Sequence, residues 1–294
     1  STKTAQAINQ VMADNLKPHA PLIAETGGLN AMIVDSTALL EQAVQDVVYS
    51  AFQSAGQRCS ALRMLYVQSD IADAFERMLC GAMQALVVGP PEDADCDVGP
   101  VIDAAAQRRI AAHIANHKIL FQTSAPEKGY FVTPTILSVS GMSDLHEEIF
   151  GPVLHLARYD ASDLDRVIDD INASGYGLTF GFHSRIDDRV QKVVSRVNVG
   201  NLYINRNQIG AVVGSQPFGG HGLSGTGPKA GGPCYLPRFA PQKLLAAEGP
   251  LPPKMDLAEL EQAFAAQAPK QSHTPKVLPG PTGESNRYLL RPKS

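Results

Sequence analysis

The sequence predicts an α/β fold, a parallel-rich sheet covered by helices. Two observations carry that reading. Short apolar runs with strand character alternate with amphipathic helical stretches over most of the first two hundred residues. The chain has 294 residues and is 44% hydrophobic, which suffices for a sizeable core and one or two domains.

Taken in order, Ser1–Asn15 reads as a helix capped by Ser1 or Thr2, with Ala5, Ile8, Val11 and Met12 on one face. A helix with an anion-friendly N-terminus usually follows a strand and a turn. Nothing precedes this one, so the chain reads either as a fragment or as one that lost its initiator Met. Pro21–Glu25 and Ala31–Asp35 are short strands joined by Thr26-Gly27-Gly28-Leu29-Asn30. Ser36 caps a long helix whose apolar positions run from Leu40 to Ala55, and Gly56 stops it. Strand Met64–Gln68, helix Asp70–Leu86 and loop Pro90–Pro100 follow. Asp103 caps a helix to about His117. Strands near Ile119–Gln122, Tyr130–Leu137 and Val153–Tyr159 come next. Helix Ser162–Ala173, strand Leu178–His183, helix Asp187–Val197 and strand Gly200–Asn205 complete the alternation.

Residues 210–232 are glycine-rich and contain a formal G-x-G-x-x-G at 220–225. It follows Pro217-Phe218 rather than a strand and precedes Pro228 rather than a helix, so it reads as an irregular pocket-shaping loop. Beyond Phe239 come a linker at Gly249–Pro253, an amphipathic helix at Asp256–Gln267, and a Pro-rich polar tail with little to bury.

Composition excludes several classes. A net charge of −4 without a basic block argues against nucleic acid. No apolar run nears the ~18 residues of a membrane span, and no signal peptide is visible. Cys59, Cys80, Cys96 and Cys234 are far apart, with neither C-x-x-C nor zinc spacing. That pattern implies a reducing cytoplasm, free thiols and no structural metal. His113 and His117 stand at i, i+4, but Ile114 fills the place where a metalloprotease needs Glu, so the pair reads as a solvated face.

Two residues carry candidate chemistry. Cys59 lies on a loop just past a buried helix, where a thiol is both held and reachable. Locally it reads equally well as a small residue in a turn. Glu25 ends a strand beside a glycine turn, either as a solvated carboxylate or as a general base aimed into a cleft.

Three signatures stand in one order: Glu25-Thr26-Gly27-Gly28, Gly56-Gln57-Arg58-Cys59 and Glu148-Ile149-Phe150-Gly151-Pro152. Together they resemble the aldehyde dehydrogenase superfamily over roughly Ser1 to Phe239. AFQSAGQRCSALR, NRNQIGAVVGSQPFGG, GLSGTGPKAGGP and LPGPTGESN are similar to the glutamate-semialdehyde (pyrroline-5-carboxylate) dehydrogenase half of the bifunctional proline-utilization flavoproteins.

The resemblance implies an aldehyde-dehydrogenase-like catalytic domain over residues 36–239. Residues 1–35 become the C-terminal remnant of a Rossmann-like NAD-binding domain, and residues 240–294 a linker, a short helix and the start of a further domain. It implies Cys59 as nucleophile, Glu25 as the base that activates water, and the Cys59 N–H as an oxyanion donor. Ser1, Glu148 and Phe150 become NAD contacts. Ser60, Gly210 and Ala211 would hold the substrate carboxylate, and Phe218 its aliphatic stem. The reaction implied is NAD-dependent oxidation of L-glutamate γ-semialdehyde to glutamate. FAD belongs to a proline dehydrogenase portion not contained in this sequence.

Most of the family's cofactor sheet is also missing from the sequence. The expectation is therefore weak activity, together with self-association or dependence on a missing N-terminal part. Two other readings stand beside the dehydrogenase: a non-catalytic assembly fragment, and a thiol esterase or acyl transferase without redox.

Overall fold

A computed structural model describes residues 1–17, 20–240, 256–259, 261, 262 and 274–290. The chain divides into two compact units, Ser1–Gly210 with Phe218–Pro228, and Ala211–Pro217 with Lys229–Ser294.

The first unit is built on seven strands: β1 (Ala31–Val34), β2 (Met64–Gln68), β3 (Lys118–Gln122), β4 (Thr135–Ser138), β5 (Val153–Tyr159), β7 (Thr179–His183) and β8 (Asn201–Ile204). Their order is β3-β4-β5-β2-β1-β7-β8. Every neighbouring pair is parallel except β3 with β4. A separate short ladder joins β6 (Tyr176–Gly177) to β9 (His221–Gly222).

The central strands are uniformly apolar because both faces are covered. All four residues of β1 and all five of β2 are buried. On one face, Met32, Val34, Leu65 and Val67 pack with Val44, Val47 and Phe52 of α2 (Leu40–Phe52) and with Phe75, Leu79 and Met83 of α3 (Ser69–Gln84). On the other, Ile33, Tyr66, Phe180 and Phe182 meet Val167, Ile168 and Ile171 of α5 (Leu164–Ala173) and Val190 and Val193 of α6 (Asp187–Arg196). Edge strand β3 is largely exposed and carries an irregularity between Ile119 and Phe121, a usual way to blunt an edge.

The mostly parallel sheet matches the expectation from sequence, and several local readings change. Among the described residues Pro21–Glu25 forms no strand, and only Glu25 bridges, to Gly225. Ser36 does not cap α2, which begins at Leu40. Instead the Ser36 N–H donates to Gln68 Oε1 at 3.0 Å. The helix ends at Phe52, followed by a tight turn over Gln53–Gly56 in which Ser54 and Ala55 have φ of 54° and 53°. Gly56 continues at φ +64°, where a Cβ would collide with the Gly151 carbonyl oxygen. The face foreseen on α1 (Thr2–Asn15), capped by Ser1, buries none of its residues among those described; Ile8 and Val11 are exposed.

His113 and His117, near the end of α4 (Ala104–Ala115), are not a solvated face. The His113 and His155 Nε2 atoms are 2.8 Å apart, and the His113 and His117 rings lie 4.2 Å apart. The Arg63 carbonyl accepts from His155 Nδ1, which leaves His155 Nε2 to accept from His113 Nε2–H.

The boundaries read from sequence at 35/36 and 239/240 do not coincide with the two units. The physical reason for the first is that β1 pairs with both β2 and β7. In the second unit, β10 (Lys276–Leu278) and β11 (Asn286–Tyr288) form an antiparallel hairpin in the tail that reads as having little to bury. The Asn286 side chain ties its turn to the Pro279 carbonyl at 3.0 Å. The helix foreseen at Asp256–Gln267 lies partly outside the described residues; 257–259, 261 and 262 are helical.

Two buried imidazoles make the fold acid-sensitive. Burial pulls His155 and His183 down to about 4, with the neighbouring His113 and His117 adding to the effect at His155 and Asp35 opposing it at His183. A histidine depressed in the folded state is fully stabilising above about pH 6.5 and loses that contribution as the pH falls toward its folded value. Denaturant titration at pH 7 and pH 5 should show a loss of about 2 kcal/mol for each of the two. His183→Gln should remove about 2 kcal/mol of that loss.

Candidate active site

The loops that precede β1, β2, β5 and β7 lie at the N-terminal ends of these parallel strands, and they hold most of the residues singled out from sequence. Cys59 precedes β2 and is exposed, so its sulfur is reachable from solvent. The loop around it is fixed from beneath by buried side chains. Asn30 Nδ2 donates to the carbonyls of Cys59 (2.6 Å) and Ala61 (2.9 Å). Thr179 Oγ1 donates to the Ser60 carbonyl at 3.2 Å, and Gln208 Nε2 reaches it at 3.5 Å.

Arg63, fully buried, donates through Nη2 to the Arg58 carbonyl and through Nη1 to the Gly151 carbonyl, both at 3.2 Å. The same Nη2 lies 3.4 Å from Glu148 Oε1. The guanidinium also sits 5.4 Å from the centroid of the Phe150 ring, which is 36% exposed. One buried cation thus ties the Cys59 turn to the Glu148–Pro152 turn.

Glu148 contacts Gly27 so closely that a Cβ there would collide with Oε2, and the Gly28 N–H donates to it. Burial pushes its carboxyl up, while Arg63 opposes the shift. Ser1 Oγ accepts from the Thr4 N–H at 3.3 Å as the cap of α1. Thr2 and Thr26 both donate to the Leu223 carbonyl, which ties this end of α1 to the glycine-rich loop.

Glu25 is held by that same loop. Its Oε2 accepts from the Gly220 N–H at 3.1 Å, and its carboxylate lies where a Cβ on Gly225 would reach. The residues of the rejected nucleotide fingerprint therefore cradle a carboxylate.

Cys59, Glu148 and Glu25 are electrostatically coupled. Burial of the sulfur is the largest effect raising the Cys59 thiol, and the charges of Glu148 and then Glu25 raise it further. The N–H groups of Ser60 and Cys59 act in the opposite direction. Tyr203, pushed up to about 12 chiefly by burial, also feels the Cys59 charge.

Ser60 and Gly210 come together, since the Gly210 N–H donates to Ser60 Oγ at 3.2 Å. The Gly210 carbonyl accepts from Tyr203 at 2.8 Å. Gly210 has φ +69°, and Arg58 Nη1 lies 3.9 Å from where its Cβ would be. Ala211 opens the second unit. Phe218 is half-buried where the chain re-enters the first, one residue before Gly219, whose N–H donates to Asn201 Oδ1. Asn30, Arg63, Thr179 and Gln208 were not foreseen. Their signal was a polar residue set against an apolar run, as Asn30 stands before AMIV and Arg63 before MLYV.

The coupling is testable without substrate. Glu148→Gln removes the larger of the two charges opposing thiolate formation. Alkylation of Cys59 by iodoacetamide at pH 7.5 should then run roughly 3–10-fold faster than in the parent, read by peptide mass spectrometry.

No helix among the described residues is long and apolar enough to cross a membrane. The sequence profile of the aldehyde dehydrogenase family matches residues 1–244. The bifunctional protein PutA of Klebsiella aerogenes is 46% identical across the whole chain, which spans 26% of that protein. A crystal structure of a bifunctional proline utilization A (PutA) protein superposes with a TM-score of 0.79 at 56% identity, covering 81% of this chain and 25% of that one. A 1-pyrroline-5-carboxylate dehydrogenase from Thermus, solved with bound NAD, gives 0.73 at 34% identity, covering 81% of this chain and 48% of that one. The chain thus spans about a quarter of the PutA relatives it matches. With the family profile covering most of its length, the chain belongs to the aldehyde dehydrogenase family.

Proposed function

We propose that this chain carries the thiol and carboxylate groups for oxidation of L-glutamate γ-semialdehyde to L-glutamate with NAD⁺, within a cytoplasmic enzyme of proline breakdown. The observation that carries the reading is an exposed Cys59 sulfur coupled to two carboxylates, Glu148 and Glu25, on loops held by buried side chains.

Cys59, as thiolate, forms a bond to the aldehyde carbon, and the carbonyl electrons move onto oxygen. The Cys59 N–H stabilises that oxyanion. NAD⁺, when bound, supplies the acceptor for the hydride that leaves this carbon, so that a thioester to Cys59 results. Glu25 takes a proton from water, the hydroxide adds to the thioester carbon, and the C–S bond breaks so that Cys59 leaves as thiolate and the acid forms. Phe150 offers a half-exposed ring face, and Glu148 a carboxylate reached through Gly27; these suit the nicotinamide and its ribose. Ser1, at the N-terminus of α1, suits the pyrophosphate.

A substrate bearing a carboxylate is favoured by the loop at Gly210. There the Ser60 hydroxyl, which accepts from the Gly210 N–H, keeps its own O–H to donate, Ala211 follows in sequence, and the Arg58 guanidinium lies near Gly210. Phe218 supplies apolar surface for the stem of the substrate. The bare face of α1 fits a need for a further segment or a second copy.

The test follows reduced cofactor by absorbance, with the semialdehyde and NAD⁺, in the intact protein that contains this chain. Cys59→Ala should abolish turnover. Glu25→Gln should allow one rapid round of cofactor reduction per site and then slow by roughly 10²–10⁴-fold, as loss of a general base predicts. Activity that survives in Cys59→Ala overturns the assignment.

A further inference from the structure

The four carbonyls from Arg58 to Ala61 all point into the protein. Arg63 Nη2 takes the first at 3.2 Å, Asn30 Nδ2 the second at 2.6 Å, Thr179 Oγ1 the third at 3.2 Å, and Asn30 Nδ2 the fourth at 2.9 Å. In a trans peptide the carbonyl and the next residue's N–H point in opposite directions. An inward Arg58 carbonyl therefore sends the Cys59 N–H outward. An inward Cys59 carbonyl does the same for the Ser60 N–H. Both N–H groups act to lower the Cys59 thiol, against burial and the two carboxylates. The Ala61 N–H does not join them, because it is spent on the Arg58 carbonyl at 3.0 Å.

The Asn30 carboxamide has only one orientation that works. Its Oδ1 accepts from the Thr179 N–H at 3.1 Å while its amino group serves two carbonyls. Flipped, it would set a donor against a donor and an oxygen against two oxygens. The side chain is 2% exposed, so no water replaces a lost partner cheaply.

We propose that Asn30 is a positioning residue for the thiol chemistry: by holding the Cys59 carbonyl inward, it turns the Ser60 N–H outward, to the side of the sulfur and of the oxyanion that forms beside it, while its bond to the Ala61 carbonyl fixes the carboxamide in place. The inference rests on the reading of Cys59 as nucleophile, and it concerns a residue that touches no reacting atom.

The test is the pH dependence of Cys59 alkylation by iodoacetamide in the full chain, resolved by peptide. Exposed Cys234 serves as the rate reference and half-buried Cys80 as the reporter of unfolding. The charged and titratable groups facing the sulfur (Glu148, Glu25, Arg63 and Tyr203) stay unchanged. Asn30→Ala should move the profile to higher pH and slow Cys59 alkylation at pH 8 by roughly 5–10-fold, with Cys80 as slow as in the parent. Thr179→Val frees the Ser60 carbonyl, whose peptide carries the Ala61 N–H rather than one aimed at sulfur, so its effect should stay within about twofold. Should alanine at position 30 expose Cys80, Asn30→Ser, with its smaller hydroxyl donor, provides the same comparison, and a slowing of at least about threefold is expected. An unchanged Cys59 profile with Cys80 protected, or an equal effect from Thr179→Val, overturns the positioning role. Because the assay needs neither substrate nor cofactor, that failure is separate from any failure of Cys59→Ala to abolish turnover.

Discussion

A guanidinium without water organises this end of the molecule. Arg63 is fully buried, and burying an unpaired charge costs several kcal/mol, which only good geometry offsets. Its offset comes from two carbonyls, a carboxylate and an aromatic face, contributed by separate loops. None of those loops could move away without leaving part of the charge unsolvated, so each holds the others in place. Removal of one partner from such a buried pair typically destabilises by about 3–5 kcal/mol. Stability at Arg63 and geometry at Cys59 are therefore one requirement. Among the described residues Nε of Arg63 finds no hydrogen-bond partner, so even here the compensation is incomplete.

The glycines of the site serve this closeness rather than flexibility. Gly56 lies against the Gly151 carbonyl, Gly27 against the Glu148 carboxylate, and Gly225 against Glu25. In each case a Cβ would occupy the space of a group that the site needs. Two turns preceding different strands can touch only because their contact points carry no side chains. The positive φ at Gly56 also reverses the chain quickly enough to bring Cys59 back over the start of β2, the strand that Arg63 anchors.

Much of this was legible in the sequence, and the reasons differ by element. β2 has the residues foreseen because the unbroken apolar run MLYV between Arg63 and Gln68 leaves little room for error, and β5 because the Gly151-Pro152 turn fixes where it starts. The parallel sheet followed from alternation alone. Pro21–Glu25 misled because apolar content was read as strand, whereas its partner is a glycine loop some two hundred residues away. Such a long-range bridge leaves no local periodicity. The site showed the same division. Cys59 and Glu25 were visible as reactive types at turns, and Glu148 only through the motif that resembles the family's. Asn30, Thr179 and Gln208 carry only the sign of a polar residue beside an apolar run, and nothing local in it tells that the side chain serves another loop's carbonyls.

The electrostatics set the two halves of the chemistry against each other. A carboxylate that activates water must be charged and close to the acylated sulfur. The same charge, present earlier, disfavours the thiolate that begins the reaction, and both Glu25 and Glu148 do so here. On the proposed reading, moving Glu25 away would ease the first step and disable the second. The structure leaves the carboxylates in place and sets backbone N–H groups against them at the sulfur. A backbone donor carries no net charge, so it stabilises negative charge on sulfur or on an adjacent oxygen without weakening the base that follows. Its direction, however, is fixed only by what grips the carbonyl on the far side of the peptide. Control of the reacting sulfur thereby passes to side chains buried beneath it, and the demands of the chemistry become demands on packing.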